Sequence, residues 1–237
     1  MFWNEERLKW YFIASVYTKY HKNMANVLKS IIPKGESLMD LGSGPALLSL
    51  ELKDYFKEIL AIDFDESVIS LLNKKIEKEN IKNFKAYSFD CYDEKLFLNF
   101  SKKDNILFSH FGKIEEYFSY FKNFFNKRMI IIRNDIEKNI VYNKDKDTIQ
   151  DITNYLEKLN INYKIYRQNF EFGQPLLDEE EAIYYLKKWY KENYIKLLSN
   201  IKDIDYFYNG IRYTKYYCKP KSTAIVIVKK EDLDEKI

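Results

Sequence analysis

Trp10, Ile13, Ala14, Tyr17, His21, Met24, Leu28 and Ile31 recur at intervals of three and four residues. That is the period at which one face of an α-helix repeats. The pattern predicts one long helix over residues 4–31, ended by Pro33 and Gly35. Short apolar runs then alternate with amphipathic ones. Strands are expected near 37–41, 58–62, 84–89, 105–109, 128–133, 162–170 and 223–229, and helices near 46–56, 66–79, 113–126 and 146–160. Such alternation predicts a doubly wound α/β fold around a mostly parallel, seven-stranded sheet covered on both faces. The last strand, Thr223 to Val228, is a continuous run dominated by β-branched residues, as a strand buried on both faces requires.

Residues 171–221 do not fit that scheme. They separate the sixth and seventh strands by about fifty residues, where most connections in compact domains are far shorter. Asp178, with Glu181 three residues on, reads as a helix N-cap. A helix is expected from there to about Leu198, with Ala182, Tyr185, Leu186 and Trp189 on one face. The rest is dense in aromatics, from Tyr206 to Tyr217. The expectation is a single domain: an N-terminal helix in 1–35, a core in 36–170, a cap insertion in 171–221, and a last strand and tail in 222–237.

Composition narrows the class. Aromatic residues make up 17% of the 237 residues, so a packed fold is expected, not a disordered chain. A net charge of +3, with lysines dispersed along the sequence, does not mark a nucleic-acid partner. Two cysteines, Cys91 and Cys218, without a spaced pattern, argue against a disulfide framework and for a reducing cytoplasm. Two histidines and two cysteines, scattered, give no metal site. No uncharged apolar run approaches bilayer length.

The densest chemical signal lies in Leu38 to Leu47, LMDLGSGPAL. Two of the six glycines, Gly42 and Gly44, follow a strand that ends at Asp40 and precede a helix. A glycine turn of this kind lets a ligand approach the backbone and aims the N–H groups of a helix start at it. The next strand ends at Asp63, about 20 residues on, where a nucleoside-binding βαβ unit places its ribose ligand. Asp65 lies in the same turn, but Asp63 is better placed. Position 47 is Leu, not the third glycine of a dinucleotide fingerprint. Asp40 would repel a pyrophosphate and attract the amino group or sulfonium of a methionine moiety.

On these residues the chain resembles the class I (Rossmann-like) S-adenosylmethionine-dependent methyltransferases. Their first motif, acidic-x-G-x-G-x-(G/A), is Asp40-Leu41-Gly42-Ser43-Gly44-Pro45-Ala46 here; their second is the acidic strand end at Asp63; their third matches Asp90 after the third strand. The specific match runs to about residue 110. The resemblance implies that the last strand lies antiparallel between the fifth and sixth. It also implies that Asp40, Gly42, Ser43, Gly44, Asp63, Phe64, Asp90, Cys91 and Ser109 line the cofactor, with Tyr17 and His21 over its methionine end. For His21 a satisfied core histidine is the competing reading, and for Cys91 a small packed side chain is preferred to a reactive thiol.

At the tip of strand four stands Ser109-His110-Phe111-Gly112, where base-modifying relatives carry (N/D/S)-P-P-(Y/F). The departure argues against that amino-group chemistry. His110 is the candidate general base, with a hydrogen-bonding or turn-closing role as the alternative. The expected function is methyl transfer from S-adenosylmethionine to a small molecule, leaving S-adenosylhomocysteine. A methyltransferase acting on RNA or protein, a non-catalytic S-adenosylmethionine-binding module and, more distantly, a nicotinamide oxidoreductase are the alternatives. The cap is expected to fold over the carboxyl edge of the sheet and supply much of the acceptor pocket.

Overall fold

The computed structural model describes residues 3–135 and 147–234. The chain opens with α1 (Glu5–Thr18) and α2 (Tyr20–Ile31). There follow β1 (Ser37–Leu41), α3 (Leu47–Glu51), β2 (Glu58–Asp63), α4 (Glu66–Lys78), β3 (Phe84–Ser88) and α5 (Leu96–Asn99). Next come β4 (Lys103–Ser109), α6 (Ile114–Phe121) and β5 (Phe125–Asn134). From residue 147 onward the elements are α7 (Ile149–Lys158), β6 (Lys164–Glu171), β7 (Gln174–Leu176), α8 (Glu179–Tyr190) and α9 (Tyr194–Leu197). The chain closes with β8 (Ile201–Tyr208), β9 (Ile211–Tyr217), β10 (Pro220–Lys229) and α10 (Glu231–Asp234).

The described residues divide into two compact units, one of 24–135, 147–168 and 222–234, the other of 3–23 and 169–221. The first unit is built on a seven-stranded sheet in the order β3-β2-β1-β4-β5-β10-β6. β1 pairs parallel with β2 and β4, and β10 pairs antiparallel with β5. This is the doubly wound fold expected, with the last strand where the resemblance implied. Every residue of β1 is buried, the polar Ser37 and Asp40 included. Tyr117, Phe118 and Phe121 of α6 and Ile152 and Leu156 of α7 pack on the sheet core. Burying each such side chain contributes about 1.5–3 kcal/mol. At the amino ends of the strands, buried Glu36 accepts hydrogen bonds from Asn105 Nδ2 (2.9 Å), Lys127 Nζ (3.0 Å) and Arg128 Nη1 (2.6 Å). That edge is closed by its own ion pairs. The strand order reverses between β1 and β4, so the ligand crevice of an open α/β sheet lies at their carboxyl ends.

The second unit has a three-stranded antiparallel sheet, β7-β9-β8. Its core is Trp10, Leu176, Ala182, Leu186 and Tyr217. Trp10 Nε1 of α1 donates to Glu181 Oε1 of α8 at 3.1 Å, and Glu181 Oε2 accepts from Leu177 N at 2.6 Å.

Several local expectations are corrected. The helix over 4–31 is two helices, because Lys19 takes a left-handed φ of 56°. Thr18 Oγ1 donates back to Ala14 O at 2.7 Å and accepts from Tyr20 N at 3.3 Å, satisfying groups that the break releases. The helix after Asp178 stops at Tyr190, where Lys191 turns left-handed, and Trp189 is 41% exposed instead of facing the core. The aromatic stretch beyond it is the β8–β9 hairpin. Asn209 and Gly210, both at positive φ, make the turn; two successive positive φ values are the geometry for which Asn-Gly is favoured. α3 is five residues long, α6 ends at Phe121, and β5 begins at Phe125 where helix was expected. β4 begins at Lys103, whose Nζ is held by Glu58 Oε2 at 2.8 Å; a paired charge concealed the strand's start. Residue 146, the expected start of α7, lies outside the described residues. No described helix is long and apolar enough to cross a membrane.

Candidate functional site

β1 is short and wholly buried, so its carboxyl end delivers Asp40 into the interior. Asp40 is 3% exposed. Its Oδ2 accepts from Ser49 Oγ at 2.6 Å, while Oδ1 has no hydrogen-bond partner among the described residues. Burial pushes its carboxyl up from 3.8 to about 7, the nearby charge of Asp63 adds to the rise, and the Ser49 hydrogen bond opposes it.

The chain then reverses through Gly42 and Gly44 at φ +66° and +52°. Gly42 N and Ser43 N donate to Ile62 O at 2.9 and 3.0 Å, and Gly44 N donates to Asp63 Oδ2 at 2.7 Å. Asp63 Oδ1 accepts from Asp65 N at 3.0 Å. One carboxylate therefore ties the tip of β2 to the glycine turn. Asp65 caps α4, accepting from Ser67 N at 3.1 Å. Phe64, between the two, is 69% exposed.

Asp90 follows β3, is exposed, and accepts from Tyr92 N at 2.9 Å. Cys91 is buried; burial first, then the carboxylates Asp63, Asp90 and Asp40, push its thiol up to about 12, against a hydrogen bond from the Gly42 backbone. A thiol held that high is not a nucleophile near neutrality. Asp40, the glycine turn, Asp63 and Cys91 thus form one cluster. Ser109 ends β4, and His110, the next residue, takes a left-handed φ of 56° while its N–H donates to Ile132 O at 3.0 Å.

Tyr17 and His21 belong to the second unit and are paired within it. Tyr11 Oη lies 2.8 Å from His21 Nε2 and Ser15 Oγ lies 2.6 Å from Nδ1. Burial, with Lys221 adding to it, lowers the imidazole to about 3, so His21 is neutral at physiological pH. The Tyr17 ring packs on Tyr206 and Tyr216, at 4.8 and 4.7 Å between centroids.

Two residues at the site escaped sequence reasoning. The Phe111 ring lies against Gly42, whose φ and missing Cβ both matter: a Cβ there would sit 2.7 Å from Phe111 Cε2. Arg133, only 2% exposed, donates from Nη2 to the carbonyls of Phe111 and of Gly112 (2.9 Å for the latter) and from Nη1 to Ile132 O at 3.1 Å. Its signal was present: one arginine directly after the apolar run Met129-Ile130-Ile131-Ile132. A charge there must serve buried acceptors. Among the described residues no group of three or more His, Cys, Asp and Glu side chains is placed to hold a metal.

The family model of the tellurite resistance protein TehB matches residues 5–110. No curated protein matches the sequence. Among solved structures, YcgJ from Bacillus subtilis is similar at 13% identity and a TM-score of 0.57, over 89% of this chain and 98% of that one. A precorrin-6y C5,15-methyltransferase from Geobacter metallireducens matches at 11% identity and 0.53, over 89% and 87% of the two chains. A putative RNA methyltransferase from Pyrococcus horikoshii matches at 13% and 0.50, over 90% and 83%. At such identities the likeness is one of fold. The strand order with its antiparallel last strand is shared with these neighbours, so the chain has a class I methyltransferase-like, Rossmann-like fold, and the acidic-glycine motif lies within the 5–110 stretch that the family model matches.

Proposed function

We propose that the protein binds S-adenosylmethionine at the carboxyl tips of β1 and β2 and that it methylates a small-molecule acceptor in the cytoplasm, releasing S-adenosylhomocysteine. The observation that carries this reading is the convergence of two buried carboxylates, Asp40 and Asp63, on one glycine turn. Asp40 Oδ1 is a buried acceptor with no partner among the described residues, which suits a cationic group of the ligand. In this reading the remaining lone pairs of Asp63, whose oxygens already hold the Gly44 and Asp65 N–H groups, take the ribose hydroxyls, and Phe64 and Asp90, both exposed, take the base. When bound, the cofactor supplies a methyl group already activated on a sulfonium. In this reading His110 takes the proton that the acceptor loses, and Ser109 and the glycine turn fix the approach. Alignment of the reacting groups then provides much of the acceleration.

The small charge of +3 with dispersed lysines favours a small acceptor over RNA.

The test of the whole reading is calorimetry with S-adenosylhomocysteine and NAD, followed by incubation of the protein with methyl-labelled S-adenosylmethionine and fractionated cell extract. Binding of the first ligand only, and label in the low-molecular-weight fraction, are expected. Label in RNA or protein overturns the small-molecule acceptor. Binding without transfer to any fraction leaves a cofactor-binding module.

A further inference from the structure

The glycine turn is not open in this molecule. The side of Gly42 that a missing Cβ leaves free is taken by the ring of Phe111. That ring is itself well supported. It stacks on Tyr92, at 5.7 Å and 27° between planes, and packs on Phe108 at 5.5 Å and on Tyr117 at 5.9 Å. Its backbone is held too. Arg133, buried in β5, donates to the carbonyls of Phe111 and Gly112, and His110 and Gly112 on either side are both at positive φ. A turn anchored in this way does not drift as a whole. The freedom left to it is rotation of the Phe111 side chain, half-buried at the crevice where the strand order reverses.

From this we infer that Phe111 is a gate on the cofactor cradle: its ring lies on the face of Gly42, and S-adenosylmethionine must displace it to bind. The inference rests on the cofactor reading above. Ring and ligand cannot share one volume, so the protein exchanges between a closed state, with Phe111 against Gly42, and an open one competent to bind. The apparent affinity is then the intrinsic one reduced by the open fraction. The closed state is favoured by the contacts with Tyr92, Phe108 and Tyr117, and truncating the ring removes them without touching Asp40, Asp63 or the glycine backbone.

The test compares S-adenosylhomocysteine binding to the wild type and to Phe111→Ala, by calorimetry for affinity and by surface plasmon resonance for association rate. Urea unfolding checks that the variant is folded. The alanine variant should bind about tenfold more tightly, as expected if roughly a tenth of the wild type is open. Because side-chain rotation is fast against association, the wild-type association rate constant should be about tenfold below that of the variant, with the dissociation rate constant unchanged. Should the alanine variant fail to fold, Phe111→Leu keeps apolar bulk in the cluster and should shift affinity the same way by a smaller factor. Unchanged affinity in the folded variant overturns the gate, and weaker binding overturns it in favour of a ring that holds the ligand. If neither wild type nor variant binds S-adenosylhomocysteine, the cofactor reading itself has failed; if wild type binds and only the expected gain is missing, the gate alone has failed.

Discussion

Asp40→Asn removes one buried ionisable group and almost nothing else, and its effect on stability can be worked from the site. Asp40 is buried, keeps one hydrogen bond from Ser49, faces the carboxylate of Asp63, and has its carboxyl raised from 3.8 to about 7. Because the folded-state value is the higher one, the folded protein holds a proton that the unfolded chain has lost. Stability from this group is therefore fully present below about 3.8, falls as pH rises through the window between the two values, and is gone above about 7. The rise corresponds to about 4 kcal/mol across the whole window, at about 1.36 kcal/mol for each tenfold change in proton affinity. From about pH 5 to about pH 8 the loss is about 2.5 kcal/mol. The amide that replaces the carboxyl cannot ionise, so the variant should lack this component. Urea unfolding of both proteins at about pH 5 and about pH 8 measures it as the difference between two differences, in which every other titrating group cancels. The wild type should lose about 2.5 kcal/mol more than the variant over that interval. Parallel stability profiles would mean that Asp40 ionises as an ordinary carboxylate and that burial does not control it. The same linkage reaches the ligand. A cationic group placed beside Asp40 would drive its ionisation, so S-adenosylhomocysteine binding at about pH 6 should release close to one proton, and almost none at about pH 8.5. Calorimetry in buffers of different ionisation enthalpy reads that number.

Asp63→Ala should weaken S-adenosylhomocysteine binding by about 2–3 kcal/mol, because a charged acceptor is lost. Part of that loss will be the freed Gly44 N–H, and Asp63→Asn, which can keep one acceptor on the turn, should recover some of it. Binding equal to the parent would remove Asp63 from the ribose. Gly44→Val should abolish cofactor binding in a protein with an unchanged circular dichroism spectrum, since a β-branched residue resists the φ of +52° found there; retained affinity would show that the turn tolerates a side chain. Cys91 should resist alkylation in the folded protein at about pH 8 while half-exposed Cys218 reacts first, and mass mapping of the modified thiol decides between them. The His21 ring should show no titration by NMR between about pH 5 and about pH 8, given its neutral, hydroxyl-paired setting; a shift through that range would overturn the buried assignment.

How much of this was legible in the sequence depends on which physical rule was local. The Asp40–Gly44 turn and Asp63 could be read directly, because a tight turn needs glycine and the acidic residue sits at a fixed distance along a βαβ unit. The doubly wound sheet followed from alternation, and the place of its last strand from the family resemblance. The N-terminal helix was misread as continuous because Tyr17, His21 and Met24 keep helical spacing across a single left-handed residue, which periodicity cannot detect. The β8–β9 hairpin carried its own signal, Asn209-Gly210 between aromatic runs, but tyrosines so abundant elsewhere concealed the alternation. The parts played by Phe111 and Arg133 were hidden for a deeper reason. Phe111 stands in the Ser109–Gly112 stretch and Arg133 after an apolar run, yet each acquires its part only from a partner distant in sequence: Gly42 for the ring, and the carbonyls of Phe111 and Gly112 for the guanidinium. A sequence motif records where a ligand's backbone cradle is. It does not record what stands in that cradle before the ligand arrives, and that occupant sets how much of the binding energy must be spent on entry.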